Sequence, residues 1–241
     1  MVPRLIGRFD RLLTVSQNGA RELAQRYGLR FPDVIRPPTP ELQPVPPGSA
    51  RRAQREQVGL PRGFLLGLVG RVQLRQKGHD VALRVFAELA RRHPEVQLVV
   101  IGDGPDLPRV QGQAGKLGLG SRVSFLGWRP DVGSLIPLLD LVLLPSHFEG
   151  LPQTALQAST ARVPVVAYAV DGLPELLPAE FLVKHGDEAA LARLVRAVYQ
   201  GELAWPAQAM AQRAAAWGNP ETAAEQLLAL ASRAASAGAI R

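Results

Sequence analysis

Ser146-His147-Phe148-Glu149-Gly150-Leu151-Pro152-Gln153-Thr154-Ala155-Leu156-Gln157-Ala158 is the stretch on which the reading of the fold turns. The residues before it, Leu139 and Leu141 to Leu144, form an apolar run that reads as a buried strand. A carboxylate, Glu149, then stands in a loop just before a helix expected to begin at Pro152, because proline suits a first helical turn. Beyond that helix a second apolar run, Val163 to Ala167, reads as another strand, followed by a tight Asp171-Gly172 turn and Glu175. Strands apolar on both faces and separated by helices imply a parallel sheet. The loops at the strands' carboxyl ends are then its ligand-binding edge.

The same alternation extends outward in both directions. Short apolar runs recur at Phe64 to Val69, Val96 to Ile101, Val123 to Leu126 and Phe181 to Val183, with helical periodicity between them, clearest at Val81, Val85, Phe86 and Leu89. We therefore expect an α/β fold, a Rossmann-like doubly wound parallel sheet over residues 63–186. A helical C-terminal tail over residues 187–241 should pack on it, with Leu191, Leu194, Val195 and Val198 in one stripe and Leu227, Leu228 and Leu230 in part of another. Upstream, Leu12 to Val15 reads as a short strand, and Ser16 as the N-cap of a helix with Ala20, Leu23, Ala24 and Tyr27 on one face, stopped by Gly28. Residues 31–62 read as a Pro-rich connector, because seven prolines between positions 31 and 47 exclude helix and central strand there. A domain boundary is expected in that segment.

Composition narrows the functional classes. The 241 residues contain no Cys, which removes disulfides, thiolate catalysis and Cys-type zinc sites. No apolar run approaches a bilayer span and no signal-peptide pattern opens the chain, so a cytoplasmic protein is expected. The net charge is +7, and residues 1–60 hold ten Arg against five Asp plus Glu. Only three of the 28 basic residues are Lys, so the excess reads as an Arg-rich solvated surface rather than a nucleic-acid patch.

Four places could carry chemistry. Gly70-Arg71 follows the first strand of the sheet, with Lys77-Gly78 at the start of the next helix, so two cations stand where a diphosphate could be neutralised; the spacing is not that of a Walker loop. Ile101-Gly102-Asp103-Gly104-Pro105 is a Gly-rich strand-to-helix turn that reads as cleft floor. Phe125-Leu126-Gly127-Trp128 ends another strand at the same edge; Trp128 is either a packing residue or a lid. Glu149 sits beside a helix start that stabilises its charge, with Gln157 two turns further on and expected beneath it, while His147 is more plausibly structural than an acid or base.

Taken as a set, Gly70-Arg71, Lys77-Gly78, Ile101 to Pro105, Phe125 to Gly127, Pro145-Ser146, Glu149 to Pro152, Pro164 to Ala167 and Gly172 to Glu175 resemble the retaining glycosyltransferases of family 4, which have the two-domain GT-B fold. The resemblance covers residues 63–188 closely and implies the donor-binding domain of such an enzyme. It implies that Arg71 and Lys77 hold the diphosphate of a nucleoside-diphosphate sugar together with the N–H groups of Gly150, Leu151 and the Pro152 helix. Main chain at Phe125, Leu126 and Trp128 would hold the base, Gly70, Gly102 and Gly104 the cleft floor, and Glu149, the catalytic residue, the transferred sugar. No metal and no cofactor beyond the donor substrate is implied. Where the family has a second glutamate gripping the ribose, this chain has Gln157, an exchange expected to cost on the order of 1–2 kcal/mol in donor binding.

Residues 1–30 resemble only the closing segment of the family's N-terminal acceptor domain, a remnant of it. The expected entity is thus the donor half of a glycosyltransferase, as a fragment or as one subunit whose acceptor domain lies on another chain. Retaining transfer by front-face departure of the nucleotide is implied. The runner-up is a non-catalytic sugar-nucleotide-binding or partner subunit, favoured by Gln157; a sugar-phosphate epimerase or phosphorylase-like use of the fold is third. The partners expected are a nucleotide sugar, a separate acceptor-domain subunit and peripheral contact at the inner face of a membrane, with no nucleic acid.

Overall fold

The computed structural model describes residues 12–28, 32–45 and 47–238; residues 1–11, 29–31, 46 and 239–241, parts of the expected remnant, connector and tail, lie outside the described residues. The chain opens with β1 (Leu13–Thr14), α1 (Gln17–Tyr27), β2 (Asp33–Val34) and α2 (Ser49–Gln57). The sheet domain follows as β3 (Phe64–Val69), α3 (Leu74–Lys77), α4 (His79–Ala90), β4 (Val96–Ile101), α5 (Leu107–Lys116), β5 (Val123–Phe125), α6 (Val132–Leu135), β6 (Leu141–Leu144), α7 (Gln153–Thr160), β7 (Val165–Tyr168), α8 (Leu173–Leu176) and β8 (Leu182–Val183). Three tail helices close it: α9 (Glu188–Tyr199), α10 (Ala207–Trp217) and α11 (Pro220–Gly238).

The six strands β3 to β8 are all parallel, in the order β5-β4-β3-β6-β7-β8. β3 and β4 pair along their full length, from Phe64 with Val96 to Val69 with Ile101. The chain runs outward from β3 to β5 and then returns to β6 on the other side of β3. The neighbouring carboxyl ends of β3 and β6 are thus a topological switch point, where open α/β sheets bind their ligands.

Period-2 alternation along the strands supplies two cores. Leu66, Leu68, Leu98, Val100, Leu143 and Val166 pack under α4, α5 and α9; Leu65, Val99, Val142, Leu144 and Val165 pack on the opposite face under α7, α8 and α10. The expected doubly wound sheet and helical tail are what the chain forms. The second tail stripe does not bury: among the residues of α11 whose side chains are described, only Ala223 is buried, while Leu227 and Leu228 are exposed.

Two segments differ in detail from expectation. The strand anticipated from Val163 begins at Val165, because the Val163 N–H is taken by Ala158 O at 2.8 Å in the turn that closes α7, where Arg162 has a positive φ of 61°. The stretch expected as connector contains α2, which buries none of its residues and so gives no apolar period to read. Guanidiniums hold it instead: Arg55 donates to Leu138 O and to Asp140, and Arg51 to Leu139 O and Asp140. The Pro-rich part is extended, but it lies down on the domain. Thr39 N–H donates to Gly218 O at 3.0 Å and its hydroxyl to Gln153 Oε1 at 2.8 Å, while Arg36 stacks 3.9 Å over the Trp217 ring.

Candidate functional site at the switch point

Glu149 and Lys77 meet at the switch point. Lys77, the last residue of α3, donates from Nζ to Glu149 Oε1 at 2.7 Å, and Ser146 Oγ donates to the same oxygen at 2.7 Å. The Glu149 side chain is only 5% exposed and that of Lys77 21%, so this is a part-buried ion pair with a charge-assisted hydroxyl bond beside it. With both donors on Oε1, the second carboxylate oxygen is left to accept from a ligand.

Backbone geometry brings the two loops together. Gly78 has φ 63°, and a Cβ there would lie 2.1 Å from Pro145 O, so only glycine lets the α3–α4 corner pass the end of β6. The His147 N–H then donates to Gln76 O at 2.7 Å, and Thr154 Oγ1 to Val69 O at 3.2 Å, tying the start of α7 to the end of β3. On the other side, a Cβ on Gly102 (φ 142°) would meet Gly70 O at 1.9 Å. Gly70 N–H bonds Ile101 O at 2.9 Å, and Gly102 N–H bonds Gly127 O at 2.8 Å, so the Gly70, Gly102 and Leu126–Gly127 turns form one continuous rim.

The Glu149 backbone is fixed as firmly as its side chain. Its N–H donates to the Asp171 carboxylate, and Asp171 itself holds a positive φ of 44°. Burial raises the Asp171 pKa above the usual carboxylate value, against the pull of that N–H. Asn18 Nδ2 donates to Asp171 O at 2.7 Å, and Glu175 accepts from the Asn18 N–H at 2.7 Å and the Gln17 N–H at 3.2 Å, capping α1 beside Ser16. A cavity of about 490 Å³ opens between α1 and the Phe148–Gly150 loop. His147 shares a hydrogen bond of 2.9 Å with His185, so one ring nitrogen of each is occupied within the protein.

The structure thus brings Lys77, Glu149 and the start of α7 into one place. Arg71 is exposed at the end of β3 and forms no ion pair with Glu149 among the described residues. Phe125, Leu126 and Trp128 lie two strands away along the rim, with Trp128 72% exposed. Gly104 packs its Cα against Val72 O. The helix begins at Gln153, with Pro152 as its N-cap, and a proline has no N–H to offer; the groups preceding the first helical bond, Ala155 N to Pro152 O, are those of Gln153 and Thr154. Glu149 lies outside the helix, so the helical spacing that was to put Gln157 directly beneath it does not apply. Gln157 is half-buried on the second turn of α7. Ser146 and Asp171 went unassigned in the sequence, because a serine after a strand and an aspartate in an Asp-Gly turn each have a local explanation.

Comparison with known proteins adds the following. The family model for glycosyl transferases group 1 matches residues 50–217. A D-inositol 3-phosphate glycosyltransferase of Corynebacterium jeikeium is 33% identical over 71% of this chain and 44% of its own length; a 2-deoxystreptamine glucosyltransferase of Streptomyces kanamyceticus is 31% identical over 78% and 50%. The chain spans about half the length of these curated relatives. Among solved structures, an Anabaena protein crystallised with UDP and glucose superposes with a TM-score of 0.83 at 25% identity, over 95% of this chain and 65% of that one. Sucrose-phosphate synthase of Thermosynechococcus elongatus superposes equally well, with a TM-score of 0.83 at 24% identity over 98% and 61%, and shares the fold.

Proposed function

The chain belongs to the glycosyl transferases group 1 family, and from that premise we propose that its switch-point edge binds a nucleoside-diphosphate sugar for transfer of the sugar with retention of configuration. The observation that carries the reading is the Lys77–Glu149 pair at 2.7 Å, held where the carboxyl ends of β3 and β6 adjoin the start of α7. A cation, a carboxylate with one oxygen still available and a helix start are what a diphosphate joined to a sugar requires. The relatives named for glycosyl transfer, and the Anabaena neighbour with UDP and glucose, support the same class of donor.

In this reading the Lys77 ammonium, the Arg71 guanidinium and the Gln153 and Thr154 N–H groups take up the charge that grows on the diphosphate as the bond to the sugar C1 breaks. Glu149 orients the sugar through its second oxygen. The acceptor oxygen then bonds C1 on the face the diphosphate leaves, and its proton passes to the departing phosphate oxygen. Gln157 meets the ribose with one donor and one acceptor, and main chain from Phe125 to Trp128 meets the base. Acceptor recognition falls to a further unit facing Glu149.

Calorimetry with UDP-, GDP- and ADP-sugars tests the donor claim. We expect binding to one of them, weakened at least tenfold by Lys77→Ala and by Arg71→Ala; no heat with any donor at millimolar concentration refutes it. The reading as a binding subunit without turnover rests on Gln157, and slow release of free sugar from the bound donor would exclude it.

A further inference from the structure

A strongly cationic cavity lies at the opposite end of the sheet. About 500 Å³ in volume, it opens between α2 and the start of β6, and its walls carry Arg51, Arg52, Arg55 and Arg62. Two carboxylates face them, Glu56 and Asp140, so four cations against two anions leave the lining at +2. Asp140 serves two guanidiniums at once, Arg51 Nη1 at 2.9 Å and Arg55 Nη2 at 2.7 Å, whose side chains are only 17% and 12% exposed. Asp140 is also tied to the sheet, accepting the Leu65 N–H at 2.7 Å and donating its own N–H to Leu65 O at 2.9 Å.

Its one negative charge is therefore fully engaged while two half-buried positive charges look to it. The Arg51 Nε–H is buried without a partner, and burial, with the Arg55 charge added to it, lowers the Arg51 pKa from its usual value. Arg62 reaches Glu56 at 2.7 Å with its side chain still 83% exposed, and Arg52, on the same wall, forms no ion pair among the described residues. A part-buried excess of guanidinium charge is costly until an anion joins it, and the guanidinium fork matches phosphate and carboxylate oxygens. Leu60 and Pro61 add apolar wall, and the volume lies within the range of small-molecule sites.

We propose that this cavity at the amino edge of the sheet is a second anion site, which takes a phosphate monoester group between Arg51, Arg52 and Arg62, with the body of the ligand against Leu60 and Pro61. It is distinct from the Lys77–Glu149 edge: the six residues of β3 separate the two by about 20 Å. Because Arg51 and Arg55 join α2 to the strand starts through Asp140, an anion there should tighten the hold of α2 on the sheet. The phosphate could belong to a soluble ester or to a phospholipid headgroup, and the two are separable by experiment.

The probe is inorganic phosphate, read by thermal unfolding at constant ionic strength against chloride, in the wild type and in an Arg71→Ala/Lys77→Ala variant that disables the carboxyl edge. We expect the midpoint to rise by about 3 °C at ten times the dissociation constant in both proteins. Arg52→Glu/Arg62→Glu, at two exposed positions, should abolish the rise in the Arg71→Ala/Lys77→Ala background while the unliganded protein remains folded. No rise, or an equal rise in the charge-reversed protein, overturns the proposal. Flotation with phosphatidylcholine vesicles, with and without phosphatidic acid, then assigns the source. Arg52- and Arg62-dependent binding to the acidic vesicles points to a headgroup; a phosphate response without vesicle binding points to a soluble ester.

Discussion

Glu149 is held by contacts from three places in the chain: Lys77 at the end of α3 and Ser146 in its own loop at one carboxylate oxygen, and Asp171 at its main-chain N–H. A carboxylate this buried depends on its cation, because removing one partner leaves an uncompensated charge. Lys77→Met should accordingly cost about 2 kcal/mol of stability without ligand, and adding Glu149→Gln should restore most of it. Arg71→Ala, at an exposed position, should change stability by less than about 0.5 kcal/mol. Urea unfolding of the four proteins decides the matter; equal stability of Lys77→Met and wild type would mean that the pair contributes nothing. The charged residues themselves stood out in the sequence, as cations and a carboxylate at strand ends. Their contact did not: Lys77 and Glu149 are 72 positions apart, and nothing in their own neighbourhoods says which strand ends adjoin.

At the scale of elements, α4 begins with a titratable residue in the core. His79 is 2% exposed, and burial, followed by the Lys77 charge, lowers its pKa to about 4 from 6.5. A histidine kept neutral by the fold stabilises it above pH 6.5, and that contribution is lost as pH falls toward 4, because the unfolded chain takes up the proton first. Between pH 7.5 and pH 5 the loss should be about 2 kcal/mol. His79→Leu should flatten the dependence over that interval; an unchanged slope in denaturant titrations would show that His79 is not its source. Other elements differ in how plainly they could be read. α4 carries a strong apolar face and is evident in the sequence. α2, with sequence Ser-Ala-Arg-Arg-Ala-Gln-Arg-Glu-Gln, buries nothing and is held by two arginines, so hydrophobic periodicity passes over it.

For the whole molecule, burial predicts an order of local stability. β3 and β4 are covered on both faces and paired along their full length, whereas α11 leaves Leu227 and Leu228 in solvent. Amide exchange should be slowest in β3 and β4 and fastest in α11. Protection of α11 equal to that of β4 would mean that its apolar side is covered in solution, and sedimentation would then report an assembly. No helix among the described residues is long and apolar enough to cross a membrane.

The sequence by itself determined the layered sheet, the edge on which the candidate site lies and the glycine turns, because these follow from short-range rules: alternation within a strand, periodicity within a helix, and the backbone freedom of glycine. The strand order was decided only in three dimensions, and with it the meeting of Lys77 with Glu149, the support from Asp171 and the laying of the Pro-rich segment across Gln153 and Gly218. So was the sharing of Asp140 by Arg51 and Arg55. Each of these joins polar groups distant in sequence, and a polar contact depends on distance and orientation in the folded chain rather than on any local pattern of residues.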